Sequence, residues 1–182
     1  MASVESFGQA PNGLTIEIDL KKVYSVPYVP YTGELDYVPA KKKIVQKRFE
    51  VQINLRNNST DTLWIWLMSC SWHTNFIINN SYIRFYSPGC DGNYPRIVTI
   101  NPTGSFLLNS TLARHIAWDN PCKNCIPYGP VGHTYGSNVK TTKVGLIYVG
   151  GNKKLDLKEY ESITLDRSRW TIVWSNPIEL IK

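Results

Sequence analysis

"FEVQINLRNNSTDTLWIWLM", residues 49–68, decides the fold. In its first half Phe49, Val51, Ile53 and Leu55 alternate with Glu50, Gln52, Asn54 and Arg56. A period of two puts the apolar set on one face of an extended chain and the polar set on the other, as a half-buried antiparallel strand requires. "NNSTD" (57–61) follows, with short polar side chains that bond their own backbone and turn the chain. The second half, "TLWIWLM" (62–68), is apolar on both faces, with Leu63, Ile65 and Leu67 on one and Trp64 and Trp66 on the other. Such a strand belongs in the middle of a sheet, covered on both sides.

The same alternation appears in "LTIEIDL" (14–20). Further strand-like runs follow, namely "NFII", "YIRFY", "RIVTI", "SFLLNSTLA", "KVGLIYV" and "WTIVWSNPIELI", separated by turn segments such as "NPTG" and "GGN". Short strands at this spacing indicate an all-β sandwich, with a meander or barrel as the alternative. One stretch, "LDLKEYES" (155–162), reads as a short helix. The expectation is a single domain over residues 1–182, an antiparallel sandwich of about seven to nine strands with one short helix.

Composition agrees. Of 182 residues 42% are hydrophobic and 19% charged, a globular balance, and the 6 Trp and 11 Tyr suit strands. No apolar run approaches the ~20 residues that span a bilayer, so no transmembrane segment is expected. The net charge is +6, and its densest cluster is "KKKIVQKR", Lys41–Arg48. Leading into a strand, it reads as a solvated strand start that discourages edge-to-edge pairing. No zinc finger, helical reader or GxxG loop accompanies it, so nucleic acid is not an expected partner. The first residues, "MASVESFGQAPNG", lack the basic start and apolar stretch of an export signal. The cysteines nevertheless favour an extracytoplasmic protein (periplasmic, cell-surface or secreted) whose signal, or lipid anchor, belongs to an uncut precursor.

Two segments interrupt the strands. Residues 24–39, "YSVPYVPYTGELDYVP", carry four tyrosines and three prolines, and residues 118–138 are again rich in Tyr, Pro and Gly. Loops of this length in a small domain are more often functional than accidental. Tyrosine on a proline-stiffened loop offers contact area at low entropic cost. Tyr28, Tyr31, Tyr128 and Tyr135 are therefore candidate ligand-binding residues, the plainer reading being that they cover the sandwich ends. Trp72 joins them, since it and His73 lie past the end of the central strand.

Catalytic motifs are absent. There is no GxSxG elbow, no HExxH and no glycine phosphate loop, and His73, His115 and His133 are far apart. Paired carboxylates carry no marking spacing. No cofactor and no catalysis are expected. Asn57, Asn58, Asn79 and Asn109 each satisfy N-x-S/T, and their positions between strands read as turns.

The four cysteines leave three arrangements open. Cys70 follows a strand and Cys90 lies in a turn twenty residues on, so the two can meet as a disulfide, with Cys122 and Cys125 as a second, local one. Zinc held by Cys70, His73, Cys122 and Cys125 is the second arrangement. Free thiols are the third. "CKNC" (122–125) in a proline-rich loop lacks the helix start that would make it redox-active.

The pieces "NNSTDTLWIWLMSCSWH", "GCDGNYPRIVTINPTGS" and "IVWSNPIEL" together resemble a group of uncharacterised exported proteins of Bacteroidetes-type bacteria, small immunoglobulin-like sandwiches. The resemblance covers roughly residues 48–112 and 143–181 and does not extend to the insert at 118–138. It implies an immunoglobulin-like fold and a place outside the cytoplasm, and it brings no activity. The functional expectation is a non-catalytic binding module that takes a glycan or a peptide segment on its loops. The alternative is a metal-binding or hydrolytic protein with a Cys/His site near His73 and Cys122/Cys125.

Overall fold

A computed structural model describes residues 13–27, 45–80, 82–86, 90–114, 116–119, 131–134 and 139–180. The chain runs out along β1 (Leu14–Pro27) and back along β2 (Val45–Asn57), the two paired antiparallel over their whole length. It crosses the molecule as β3 (Leu63–Met68), makes a 3-10 turn at Trp72–Asn75, and continues as β4 (Phe76–Ile78) and β5 (Ile83–Tyr86). Then come β6 (Pro95–Ile100), β7 (Ser105–Arg114), and a hairpin of β8 (Ile116–Asp119) with β9 (Val131–Thr134). The last part holds β10 (Thr141–Thr142), β11 (Val144–Tyr148), β12 (Gly150–Gly151), the helix α1 (Leu157–Leu165), β13 (Thr171–Trp174) and β14 (Ile178–Glu179).

One sheet has four strands in the order β1-β2-β7-β5, all antiparallel. Facing it across the core are β13-β11-β4 and β12-β3-β6. These two groups are joined along residues 144–151. β11 pairs with β4 and β13, Val149 then accepts a hydrogen bond from the Trp66 amide at 2.9 Å, and β12 pairs with β3. The alternation read in the sequence fills the space between. Phe49, Val51, Ile53 and Leu55 of β2 are buried with Leu14, Ile16 and Ile18 of β1, Leu63, Ile65 and Leu67 of β3, and Leu146 of β11. Burying each such side chain stabilises the fold by about 1.5–3 kcal/mol, an upper figure because the unfolded chain is already partly compact.

The tryptophan face of β3 is covered too. Trp66 stacks on Tyr160 of α1 with ring centres 5.2 Å apart, and its indole N–H donates to the Leu155 carbonyl at 3.2 Å. A capping box starts the helix: the Asp156 carboxylate accepts from the Glu159 amide at 2.9 Å, and the Glu159 carboxylate accepts from the Asp156 amide at 3.1 Å. The helix therefore begins later than the expected residue 155 and runs on to Leu165.

Asparagines hold turns, with the exception of Asn109, whose motif reads as a turn and which instead lies within β7 opposite Gln52. Asn57 is fully buried; its amide donates to the carbonyls of Asp61 (2.7 Å) and Ile100 (3.0 Å) and its oxygen accepts from the Ser59 amide (2.9 Å). Asn79 accepts from the Thr142 hydroxyl at 3.1 Å and the Lys143 amide at 2.9 Å. Asn176 acts on the free edge of β1. Its side-chain oxygen accepts from the Ile18 amide at 2.8 Å and its NH2 donates to the Ile18 carbonyl at 3.1 Å, so one amide side chain stands in for a neighbouring strand.

The antiparallel, mostly β class and the single short helix agree with the sequence. The strand count does not. Fourteen strand segments are present among the described residues, against seven to nine expected: β8, β9, β10 and β12 lie outside the runs read as strands, and one apolar run is cut in two. "WTIVWSNPIELI" becomes β13 and β14 because Asn176 turns aside to β1 and Pro177 has no amide to give a ladder. The first Tyr/Pro segment also begins in a strand: Tyr24–Pro27 complete β1, with Pro27 opposite Val45 at the end, where a proline is tolerated. Trp118 and Asp119 likewise belong to β8.

Candidate functional site

The best-defined polar site lies where β5 ends, beside the middle of β1, β2 and β7 and against the turn that separates β3 from β4. A disulfide fixes that turn. Cys70 and Cys90 are bonded, with their Cα atoms 6.0 Å apart, inside the range that a disulfide needs. Asn93 reinforces it, accepting from the amides of Cys70 (3.3 Å) and Ser71 (3.1 Å). Buried Asn75 closes the other side by accepting from the Met68 amide at 2.8 Å.

Trp72 leads the 3-10 turn and is half-buried. Its ring meets Phe76 edge-on at 5.6 Å and Phe85 at 6.2 Å, so one side belongs to the core. Another side lines a cleft of about 550 Å³ shared with Lys21, Glu50, Cys70, His73, Tyr86 and Thr111. Asn109 and Ser110 add an amide and a hydroxyl. Lys21 arrives there through a bulge: the register between β1 and β2 slips between Leu20 and Lys22. Three aromatic rings, a carboxylate, an ammonium and several neutral hydrogen-bonding groups thus surround one opening. That set can hold a ligand with flat apolar faces and hydroxyl or amide edges.

Partial burial holds the His73 imidazole below its ordinary pKa, because desolvation disfavours the charged ring. The unfolded chain therefore binds that proton at higher pH than the folded one. The stability that neutral His73 contributes should be complete above about pH 6.5 and decline as pH falls below it, levelling off under the depressed folded value. Urea midpoints of wild type and His73→Phe between pH 5 and 8 check this: the variant should show the shallower acid-side decline, and parallel curves would refute it.

Of the residues singled out in the sequence, the fold brings Trp72, His73 and Cys70 together and pairs Cys70 with Cys90. Tyr28, Tyr31, Tyr128 and Tyr135, with Cys122 and Cys125, lie outside the described residues. The zinc arrangement loses a ligand, since Cys70 is held in the disulfide. Among the described residues no group of three or more His, Cys, Asp or Glu side chains is placed to hold a metal. Lys21, Glu50 and Tyr86 were not anticipated. Tyr86 could have been, since period two turns it away from the core beside inward Phe85; the bulge that brings Lys21 has no sequence mark.

The geometry defines an antiparallel, mostly β protein with one short helix and a disulfide-tied turn beside a mixed aromatic and polar cleft. No protein-family model, no curated protein and no solved structure matches the chain. No helix among the described residues is long and apolar enough to cross a membrane.

Proposed function

We propose that this chain is a non-catalytic, extracytoplasmic binding module on an immunoglobulin-like sandwich, which receives a glycan or a peptide segment at the Trp72 cleft and on its tyrosine loops. The observation that carries the reading is the cleft itself, where Trp72 and His73, on a turn tied by a disulfide, face Tyr86 of β5 and the amide and hydroxyl groups of β7. Rigid aromatic faces beside fixed polar groups take a sugar or peptide ligand without much ordering cost. The disulfide fits an oxidising compartment, and the resemblance to exported sandwich proteins points the same way.

Screening wild type on glycan and peptide arrays, then titrating the best ligand by calorimetry, tests the reading. Tyr86→Ala, at an exposed ring, should weaken binding about tenfold and leave the thermal midpoint in place. The quadruple change of Tyr28, Tyr31, Tyr128 and Tyr135 to alanine should abolish binding. Wild-type affinity in both variants would count decisively against the proposal.

A further inference from the structure

We propose that Arg48 and Arg84 form a subsite for a single oxyanion (a carboxylate, sulfate or phosphate group) on the outer face of the four-stranded sheet. This subsite does not depend on what the cleft binds, although Tyr86 borders both. Arg48 of β2 and Arg84 of β5 stand opposite the same residue of β7, Ala113, one from each side. Leu112 beside it is in the core, so period two turns Ala113 and both arginines outward. Two strand spacings put the arginine backbones roughly 10 Å apart, and Ala113 between them is fully covered.

Arg48 is fixed in place before any ligand comes. Its guanidinium lies 3.6 Å from the ring centre of Tyr86, which follows Arg84 by two residues on β5. The side chain therefore crosses β7 and ends beside the strand that carries Arg84. Gln46, 1% exposed, accepts from Arg48 Nε at 3.1 Å and is itself anchored by donating to the Arg114 carbonyl at 3.1 Å. One face and one edge of the guanidinium are occupied; the two terminal nitrogens present the fork that matches an oxyanion.

Charge supports a single anion. Among the described residues the one ion pair joins Lys21 to Asp19 at 3.3 Å, so neither arginine is joined to a carboxylate there. In the next row Lys22 stands opposite Glu50, and these two charges balance. Further along the same face come Asp19 and Glu17, opposite Gln52 and Asn54. A continuous polyanion such as a nucleic-acid strand would run from the arginines onto those carboxylates. An isolated oxyanion would not.

The test follows the Arg48 Nε–H signal by NMR at fixed ionic strength, titrating inorganic phosphate, glucuronic acid and, as the uncharged control, glucose. Wild type should show a saturable shift with at least one of the two anions and none with glucose. Saturation by phosphate alone identifies a free ion as the source, and tighter binding of glucuronate identifies a sugar-borne carboxylate. Calorimetry of the same probes should find Arg84→Gln and Arg48→Lys each about tenfold weaker, since lysine keeps the charge and loses the fork. Lys153→Gln combined with Lys154→Gln should bind within about twofold of wild type, as a remote charge change should. The proposal is overturned if neither anion saturates, if Arg48→Lys binds like wild type, if the remote pair weakens binding equally, or if a single-stranded oligonucleotide binds more tightly than both anions.

Discussion

Gly150→Ala should destabilise the fold by about 4 kcal/mol or more, among the largest effects a single methyl group can have. A Cβ at this position would fall onto the carbonyl oxygen of Trp64 and lie 3.0 Å from the Ile65 Cα. Both are backbone atoms of β3, the strand to which β12 is paired through Gly150 and Ile65. A flexible side chain could swing away from such a methyl. A backbone carbonyl in a ladder cannot move without breaking the pairing that joins the two halves of the second layer. Nearby comparisons show the difference. At Gly145 the added methyl would meet the Ile172 side chain and the Trp174 ring, which can give by rotation at a smaller cost. At Gly92 nothing lies within 4 Å, and only the φ of +79° opposes a side chain, at about 1 kcal/mol. Urea unfolding of the three alanine variants should therefore rank Gly150 far ahead of Gly145, with Gly92 last. A Gly150→Ala midpoint equal to wild type would mean that β12 is not held against β3 in this way.

The second large effect concerns the Cys70–Cys90 bond. Removing it by the paired change Cys70→Ser with Cys90→Ser should cost about 3 kcal/mol, since the bond closes a separation of 20 residues in the unfolded chain. Reduction of wild type with dithiothreitol should lower the denaturation midpoint by the same amount, and the paired variant should not respond to it at this bond. The loss should be local in its first consequences. The 3-10 turn that carries Trp72 and His73 is held by this bond, by Asn93 and by Asn75, so ligand affinity at the cleft should fall before the core melts. Equal midpoints for oxidised and reduced wild type would refute the prediction.

What the sequence made legible follows from period. Residues 49–56 alternate without exception, and their burial alternates with them, since one apolar face determines one register. The cover over Trp66 was legible as a requirement, though not in its means; that α1 supplies it depends on a tertiary contact between Trp66 and Tyr160. Strand ends were less legible. The breaks at Asn176–Pro177 and the extension of β1 to Pro27 depend on where a side-chain amide finds a partner and on which edge a proline faces, and neither is periodic. The Cys70–Cys90 pairing was one of three arrangements compatible with the spacing, and the fold selects it. For the site, the aromatic turn was visible because Trp72 and His73 fall just beyond a strand. The partners that β1, β2, β5 and β7 bring to it were not, because they converge through register and a bulge across four strands.

The Asn176 amide on the edge of β1 has a consequence for the living cell's order of work. Ile18 and Asn176 are 158 positions apart, so a ribosome makes one end of the clamp long before the other. At a synthesis rate of about 5–20 residues per second, the interval is roughly 8–30 s. Throughout it β1 carries an open edge, which any neighbouring nascent chain could extend. The clamp is thus a late act of closure: it covers a strand made 158 positions earlier, and until translation reaches Asn176 that edge stays open.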